Sequence, residues 1–318
     1  MARLTRIFKY LDPADIVTQA MFLILSLILL IFNIKVDYWY LFIPLNVILI
    51  YAIWKIVSVY EHKIETDNIN DADEKSLLKV LRYWYGVAAI LIIFKQVYFI
   101  IFSLKLPDWD ILFIKMDYSI FGVNPTQWIY KFENPFLTEF LQIIYSYYYP
   151  MIVVFGLELY LRHRYKEFKY SIFIIFFSFY FSYVLYMIFP ANGPRFHLHD
   201  FATISTELPG IFFTDYLRAF LNFGESIPRG VHNPQDYVQR DVMPSLHIIT
   251  AFLIMYLSGK FRLKSFYLYV PYLILMAIAT IYLRYHYVVD IIGGIIVALF
   301  TIWIGKLFVW RRSPERSE

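Results

Sequence analysis

Apolar positions in this chain neither alternate nor recur at one-turn spacing; they run on. Long apolar stretches fall near 16–33, 38–60, 78–103, 137–161, 170–190, 244–258, 266–284 and 287–309. A helix needs about 20 such residues to cross the hydrocarbon layer. Backbone polar groups inside a bilayer must be bonded within their own segment or a closed barrel. The pattern therefore predicts an all-α, polytopic membrane helical bundle of about eight spans. The 244–258 run is short and opens on Pro244-Ser245-Leu246-His247, so its outer end is expected in a polar cavity rather than in lipid.

Polar segments between the runs set the orientation. Basic residues gather at Arg3/Arg6/Lys9, Lys63/Lys75/Lys79/Arg82, Arg162/Arg164/Lys166/Lys169, Lys260/Arg262/Lys264 and Lys306/Arg311/Arg312/Arg316. By the positive-inside rule these connections, and both termini, are expected on the cytoplasmic side. The first run is full length and lacks a small-residue cleavage site, so it reads as a retained span. Six acidic residues in 61–74 (Glu61, Glu65, Asp67, Asp71, Asp73, Glu74) read as a solvated linker.

Two longer segments lie on the opposite face. The first, 104–136, carries Trp109, Trp128, Asp110, Asp117 and a Phe121-Gly122-Val123-Asn124-Pro125 turn, and predicts interfacial helices. The second, 191–243, is rich in proline and predicts an irregular, lid-like stretch.

Composition agrees: 60% of the 318 residues are hydrophobic, 17% are charged and mean hydropathy is +0.55. Cysteine is absent, which excludes disulfides, thiolate catalysis and Cys-ligated metal centres. A net charge of +4 is too small to suggest nucleic acid and is accounted for by topology. The expected organisation is two additional N-terminal spans with an acidic cytoplasmic linker (1–77), a six-helix core (78–310) and a basic cytoplasmic tail (311–318). Oligomeric state stays open, because lipid-facing and partner-facing apolar helices look alike in sequence.

Ionisable residues within such runs are costly and point to function. His286 and Asp290 are four apart at the mouth of the last span, a spacing that places both on one helical face. An aspartate bonded to one ring nitrogen leaves the other free as acceptor or nucleophile. A His–Asp pair that merely glues helices is the alternative. Pro244 reads as the first residue of its helix. The amides at 245–247 then face outward as an anion site, with the Ser245 hydroxyl beside them and His247 one turn in.

Arg195, in Pro190-Ala191-Asn192-Gly193-Pro194-Arg195, together with Arg240 and Arg284, would supply a phosphate clamp away from the positive side. Arg218 and Arg229 read as solvated loop residues. His247, His286 and Asp290 could also ligate zinc or iron, but the neighbouring arginines would repel a cation. No metal and no cofactor are expected.

Pro-Ser-x-His, then a helical hairpin, then Tyr-Leu-x-x-His-Tyr-x-x-Asp with following glycines resembles the type 2 phosphatidic acid phosphatase superfamily. The Gly-Pro-Arg turn, Met-Pro-Ser-Leu-His and His-Tyr-Val-Val-Asp-Ile-Ile-Gly-Gly look most like the branch containing inositol phosphorylceramide synthase. The resemblance covers roughly 78–309. It implies a lipid phosphatase or phosphotransferase acting on a membrane lipid from the non-cytoplasmic face, with His286 as nucleophile, Asp290 as its orienting partner and His247 as general acid. Ser245, Arg195, Arg284 and Arg240 would then bind substrate. Two positions depart from the phosphatase pattern: Ile188 stands where a Lys is usual, and Thr280 where an Arg is usual. The competing reading is a lipid or proton transporter that uses the His and Asp residues as a relay.

Overall fold

The computed structural model describes residues 9–33, 35–67 and 75–309; Arg3, Arg6, Asp71, Asp73, Glu74 and the 311–318 tail lie outside the described residues. Among the described residues the fold is all helical. Its α-helices run in order as α1 (Pro13–Ile31), α2 (Trp39–Asp67), α3 (Leu77–Leu104), α4 (Asp110–Phe121), α5 (Pro125–Trp128), α6 (Pro135–Ser146), α7 (Tyr148–Leu161), α8 (Tyr165–Ile188), α9 (Pro194–His197), α10 (Ile204–Glu207), α11 (Thr214–Gly224), α12 (Leu246–Lys260), α13 (Phe266–Tyr282) and α14 (Val288–Val309).

All eight apolar runs are helical. Five helices, α1, α2, α3, α8 and α14, are long and apolar enough to cross a membrane. The α6 and α7 helices pass the same test together but bend by 49°, which makes the pair a broken span or a re-entrant loop. The last two, α12 and α13, are shorter apolar helices of 15 and 17 residues. At 1.5 Å per residue, α12 reaches only about 22 Å.

The chain divides into two compact units. The first comprises 1–104, 156–181 and 301–318. Its apolar helices are tied by polar side chains, which replace the hydrophobic drive that lipid removes. Asn46 and Gln96 exchange amide hydrogen bonds at 2.9 and 2.7 Å, and Asn46 also donates to Ser26 Oγ at 3.0 Å. Arg82 pairs with Asp12, Asp15 and Glu61 at 2.5, 3.1 and 3.0 Å, and Lys169 with Glu61 at 3.0 Å. The acidic stretch is therefore not a solvated linker throughout: α2 runs on to Asp67, and Glu61 belongs to this ion cluster. The cause is that Arg82, which is buried, and Lys169 beside it need counter-charges.

The second unit comprises 105–155 and 182–300 and holds every candidate site residue. Here α12 packs on α13, α13 on α6, and α6 on α11. Asn134 starts α6, its Oδ1 accepting from the Phe136 and Leu137 amides, with Pro135 at the first helical position. The 191–243 stretch is less irregular than its prolines imply, since α9, α10 and α11 interrupt it.

Candidate active site

The two sequence strings meet. Tyr285 and His286 both donate their amides to the Thr280 carbonyl, at 3.0 and 3.1 Å, closing the end of α13 and turning the chain toward α14. Arg284 adopts a left-handed φ of 67° within that turn. From the other string, the Ser245 amide donates to the Asp290 carbonyl at 3.1 Å. A Cβ on Gly294 would stand 3.0 Å from the Ser245 carbonyl oxygen, so the bare glycine backbone is what lets α14 lie against the start of α12.

His286 Nε2 and His247 Nδ1 come within 3.3 Å of each other. On its other edge, His286 Nδ1 is 3.1 Å from the Val242 carbonyl and 3.4 Å from Asp290 Oδ2. The carbonyl is the better placed partner, so the ring is oriented by two groups rather than by Asp290 alone. Asp290 itself accepts the Tyr287 amide at 2.8 Å through Oδ2. Burial pushes the His286 imidazole down to about 4, with Asp241 and the Val242 carbonyl opposing, so both ring nitrogens sit in a neutral ring near neutral pH.

A stack leads away from the pair. His247 lies on the Tyr145 ring at 4.2 Å, Tyr145 on Tyr285 at 4.3 Å, and the Arg195 guanidinium 4.8 Å over Tyr285. Arg195 is buried, and its side chain bonds Asn222 Oδ1 at 3.3 Å and the Glu225 carboxylate. Arg195 and Tyr285 form part of the wall of an open cavity of about 850 Å³, which Arg218, Asn222, His232 and Gln235 continue.

Several expectations change. Helix α12 starts at Leu246 with Ser245 as its N-cap, so Pro244 precedes the helix and does not open it. Of the amides at 245–247, that of Ser245 is taken by Asp290, which leaves those of Leu246 and His247 in the first turn. The Ser245 hydroxyl and His247 Nε2 are buried with no hydrogen-bond partner among the described residues.

The arginines separate. Arg284 lies next to Arg195 through a backbone bond of 3.1 Å, but its buried side chain is paired with Glu207 and faces the Tyr130 ring at 5.1 Å. Arg240 is held by the Leu106 carbonyl at 2.7 Å and by Asp108 at 3.3 Å, and it does not line the cavity. Arg218, expected in solvent, is buried: it donates to the Leu208 carbonyl at 2.6 Å and reaches the cavity wall. The reason is that its segment forms a helix with Arg218 on the inner side. Arg229 is exposed, as expected. Ile188 is also exposed, while the Thr280 hydroxyl bonds the Ala277 carbonyl at 2.8 Å and is spent within its own helix.

Two aspartates expected at the membrane interface are buried supports of the site. Asp117 accepts the Val288 and Val289 amides at 2.8 and 2.9 Å, capping α14 from a distant segment. Asp110 accepts the Asn192 and Gly193 amides at 2.9 and 2.8 Å and the Tyr287 hydroxyl at 2.9 Å. Burial pushes the Asp110 carboxyl up, but hydrogen bonds from His197, Asn192 and Gly193 outweigh it and hold the group below its ordinary range. The sequence signal was their spacing of seven, two helical turns, on one face of a largely apolar helix. Among the described residues no group of three His, Cys, Asp or Glu side chains is placed to hold a metal ion.

Fold and site together define a multi-pass helical membrane protein with a buried histidine pair beside an arginine-walled cavity. Residues 114–304 match the model of the PAP2 superfamily, and the chain belongs to that superfamily. A PA-phosphatase related-family protein of Dictyostelium discoideum is 30% identical over 123 residues, 38% of this chain. The chain spans about a fifth of that relative's length, since the matched part is 20% of it. No solved structure matches.

Proposed function

We propose that this protein is a lipid phosphatase or phosphotransferase that works through a phosphohistidine on His286. The observation that carries the reading is the 3.3 Å approach of His286 Nε2 to His247 Nδ1. A neutral nucleophile and a proton donor or acceptor then stand side by side, near the first-turn amides of α12 and the Arg195 stack. Superfamily membership supports a phosphate-containing lipid as substrate.

In the first step the His286 Nε2 lone pair attacks phosphorus and the bond to the leaving oxygen breaks. His247 gives that oxygen its proton. Asp290 and the Val242 carbonyl hold Nδ1 and stabilise the charge on the ring. In the second step water, or an acceptor hydroxyl, gives its proton to His247 and displaces His286 from phosphorus. Water yields a phosphatase, and a lipid hydroxyl a synthase of the inositol phosphorylceramide type. Phosphoryl transfer needs placement and charge stabilisation above all. Arg195 and the Leu246 and His247 amides supply these, with Ser245 Oγ as a further donor, and Arg218 is the cation that stands in for those missing at Ile188 and Thr280. Arg284 and Arg240 hold the surrounding backbone. The basic clusters support placing the site on the non-cytoplasmic face with both termini cytoplasmic.

The test is a panel of labelled phospholipids, with and without ceramide or diacylglycerol, on purified wild type and His286→Ala. Acid-labile phosphate on wild type and none on the variant is the expected result. A transporter that uses the pair as a relay gives no phosphoenzyme in either, and that outcome sinks the proposal.

A further inference from the structure

Helix α11 carries two unlike edges. Phe213, Tyr216, Phe220 and Phe223 are 60%, 77%, 55% and 81% exposed, and Phe212 just before the helix is 74% exposed. At about 100° per residue the N-cap Phe213 and the three helix positions fall within an arc of roughly 80°. On the opposite side Thr214, Arg218 and Leu221 are buried. Asn222 and Glu225, on that side and just past the helix end, hold Arg195.

So large an aromatic face on one helix needs a cover. Its neighbours indicate which. The amides of Ile211, Phe212, Phe213 and Thr214 all converge on the Glu139 carboxylate, at 2.7 to 3.3 Å, which fastens the start of α11 to α6. That helix turns its own Phe136, Phe140 and Ile143 outward, and Tyr149 of α7 meets Phe220 at 5.5 Å. The α11 face thus continues the exposed apolar surface of a bent helix pair that is long and apolar enough to enter a membrane. Aromatic side chains on one edge and charged groups on the other suit the boundary between headgroups and acyl chains.

We infer that α11 is a membrane-surface helix: its Phe213, Tyr216, Phe220 and Phe223 edge is seated in a phospholipid leaflet, while its other edge holds Arg195 at the cavity wall. One short helix then joins the leaflet to the cavity wall, and a long-chain lipid enters the cavity along it. The second clause rests on the proposed phosphatase or phosphotransferase reading; the first does not.

The chain contains no cysteine, so a single Cys can be nitroxide-labelled without further change. Full-length Tyr216→Cys, Phe220→Cys, Phe223→Cys and Asp215→Cys variants, reconstituted in phosphatidylcholine vesicles, are compared by collision with oxygen and with a water-soluble nickel chelate. Labels at 216, 220 and 223 are expected to favour oxygen, and the label at 215 to favour nickel. Equal access of nickel to all four overturns the inference, as does shielding of 216, 220 and 223 from both relaxants, which means a second copy or another protein covers the face. Retained helicity and a single elution peak check the fold of each variant. For activity, Phe220→Ser/Phe223→Ser is expected to raise KM for a long-chain lipid in vesicles about tenfold, with kcat and short-chain turnover near wild type. An equal loss on both substrates overturns the coupling to substrate entry. Spin-label depth needs no turnover, so failure of the enzymatic reading leaves that result standing on its own.

Discussion

Asp117 Oδ2 accepts the amide of Val288 at 2.8 Å, from a residue 171 positions away. With Oδ1 on the Val289 amide, this one carboxylate caps the helix that carries Asp290 and follows directly on His286. Asp117→Ala removes both acceptors and is expected to lower stability by about 1–2 kcal/mol. Asp117→Asn keeps one and should cost less. Thermal unfolding in detergent checks the order, and equal melting of the alanine variant and wild type refutes the capping role. Turnover should fall further than stability, because the cap also sets where His286 stands.

His247 is expected to act on the leaving group. His247→Ala should slow a natural lipid, whose alkoxide needs a proton, by about 10²–10⁴-fold. An aryl phosphate with an acidic leaving group should be affected far less. Equal losses on both substrates would move His247 from proton donor to a packing role on Tyr145 and Tyr148, whose rings it meets at 4.2 Å each.

Much of this was legible in the chain because a bilayer allows few solutions. The eight apolar runs became helices, and the pairing of Pro244–His247 with His286–Asp290 followed from their order around a hairpin. What stayed hidden depended on side chains that cross between segments. Nothing local to Val288 announces that Asp117 caps it. Arg218 reads as a loop cation until the 214–224 helix turns it inward and the Phe212–Phe223 edge outward. Glu207 and Asp108 are ordinary acidic residues in sequence, yet they hold Arg284 and Arg240, as Glu225 holds Arg195, and it is Arg195 and Arg218 that line the cavity.

Three histidines set opposite pH limbs. Burial, reinforced by Arg284, pushes His199 down to about 4, and burial does the same to His286. Between about 4 and the ordinary value near 6.5 the unfolded chain binds more protons at these positions, so stability rises with pH there. His197 shifts upward, because Asp110 accepts its hydrogen bond. Its contribution is complete below about 6.5 and is lost as pH rises through the folded value. Melting temperature against pH should flatten on the acid side in His199→Gln and on the alkaline side in His197→Gln. Turnover should keep its acid limb near 4, where His286 gains a proton; a limb near 6.5 would contradict a buried neutral nucleophile.

Chelators are expected to leave turnover unchanged, and vanadate to inhibit competitively as a pentacoordinate phosphorus mimic. Loss of activity in EDTA, restored by zinc or iron, would reinstate a site built on His247, His286 and Asp290.

The two glycines after Asp290 should not respond alike. A Cβ on Gly293 meets the end of the Met243 side chain, its Cε at 2.7 Å and Sδ at 2.9 Å. Methionine can swing aside. A Cβ on Gly294 instead meets the Ser245 carbonyl oxygen at 3.0 Å and Ile248 Cβ at 3.3 Å, on the backbone and first turn of the helix that carries His247. Alanine gains about 1 kcal/mol over glycine in a helix, which offsets part of the strain, so melting should change little in either variant. Geometry does not compensate in the same way. Gly294→Ala must push α14 off the start of α12 and lengthen the His286–His247 approach, and a displacement of order 1 Å costs about 10² in rate. A wild-type rate in Gly294→Ala, or an equal loss in Gly293→Ala, would mean that close contact between the two strings is not what sets the histidine pair.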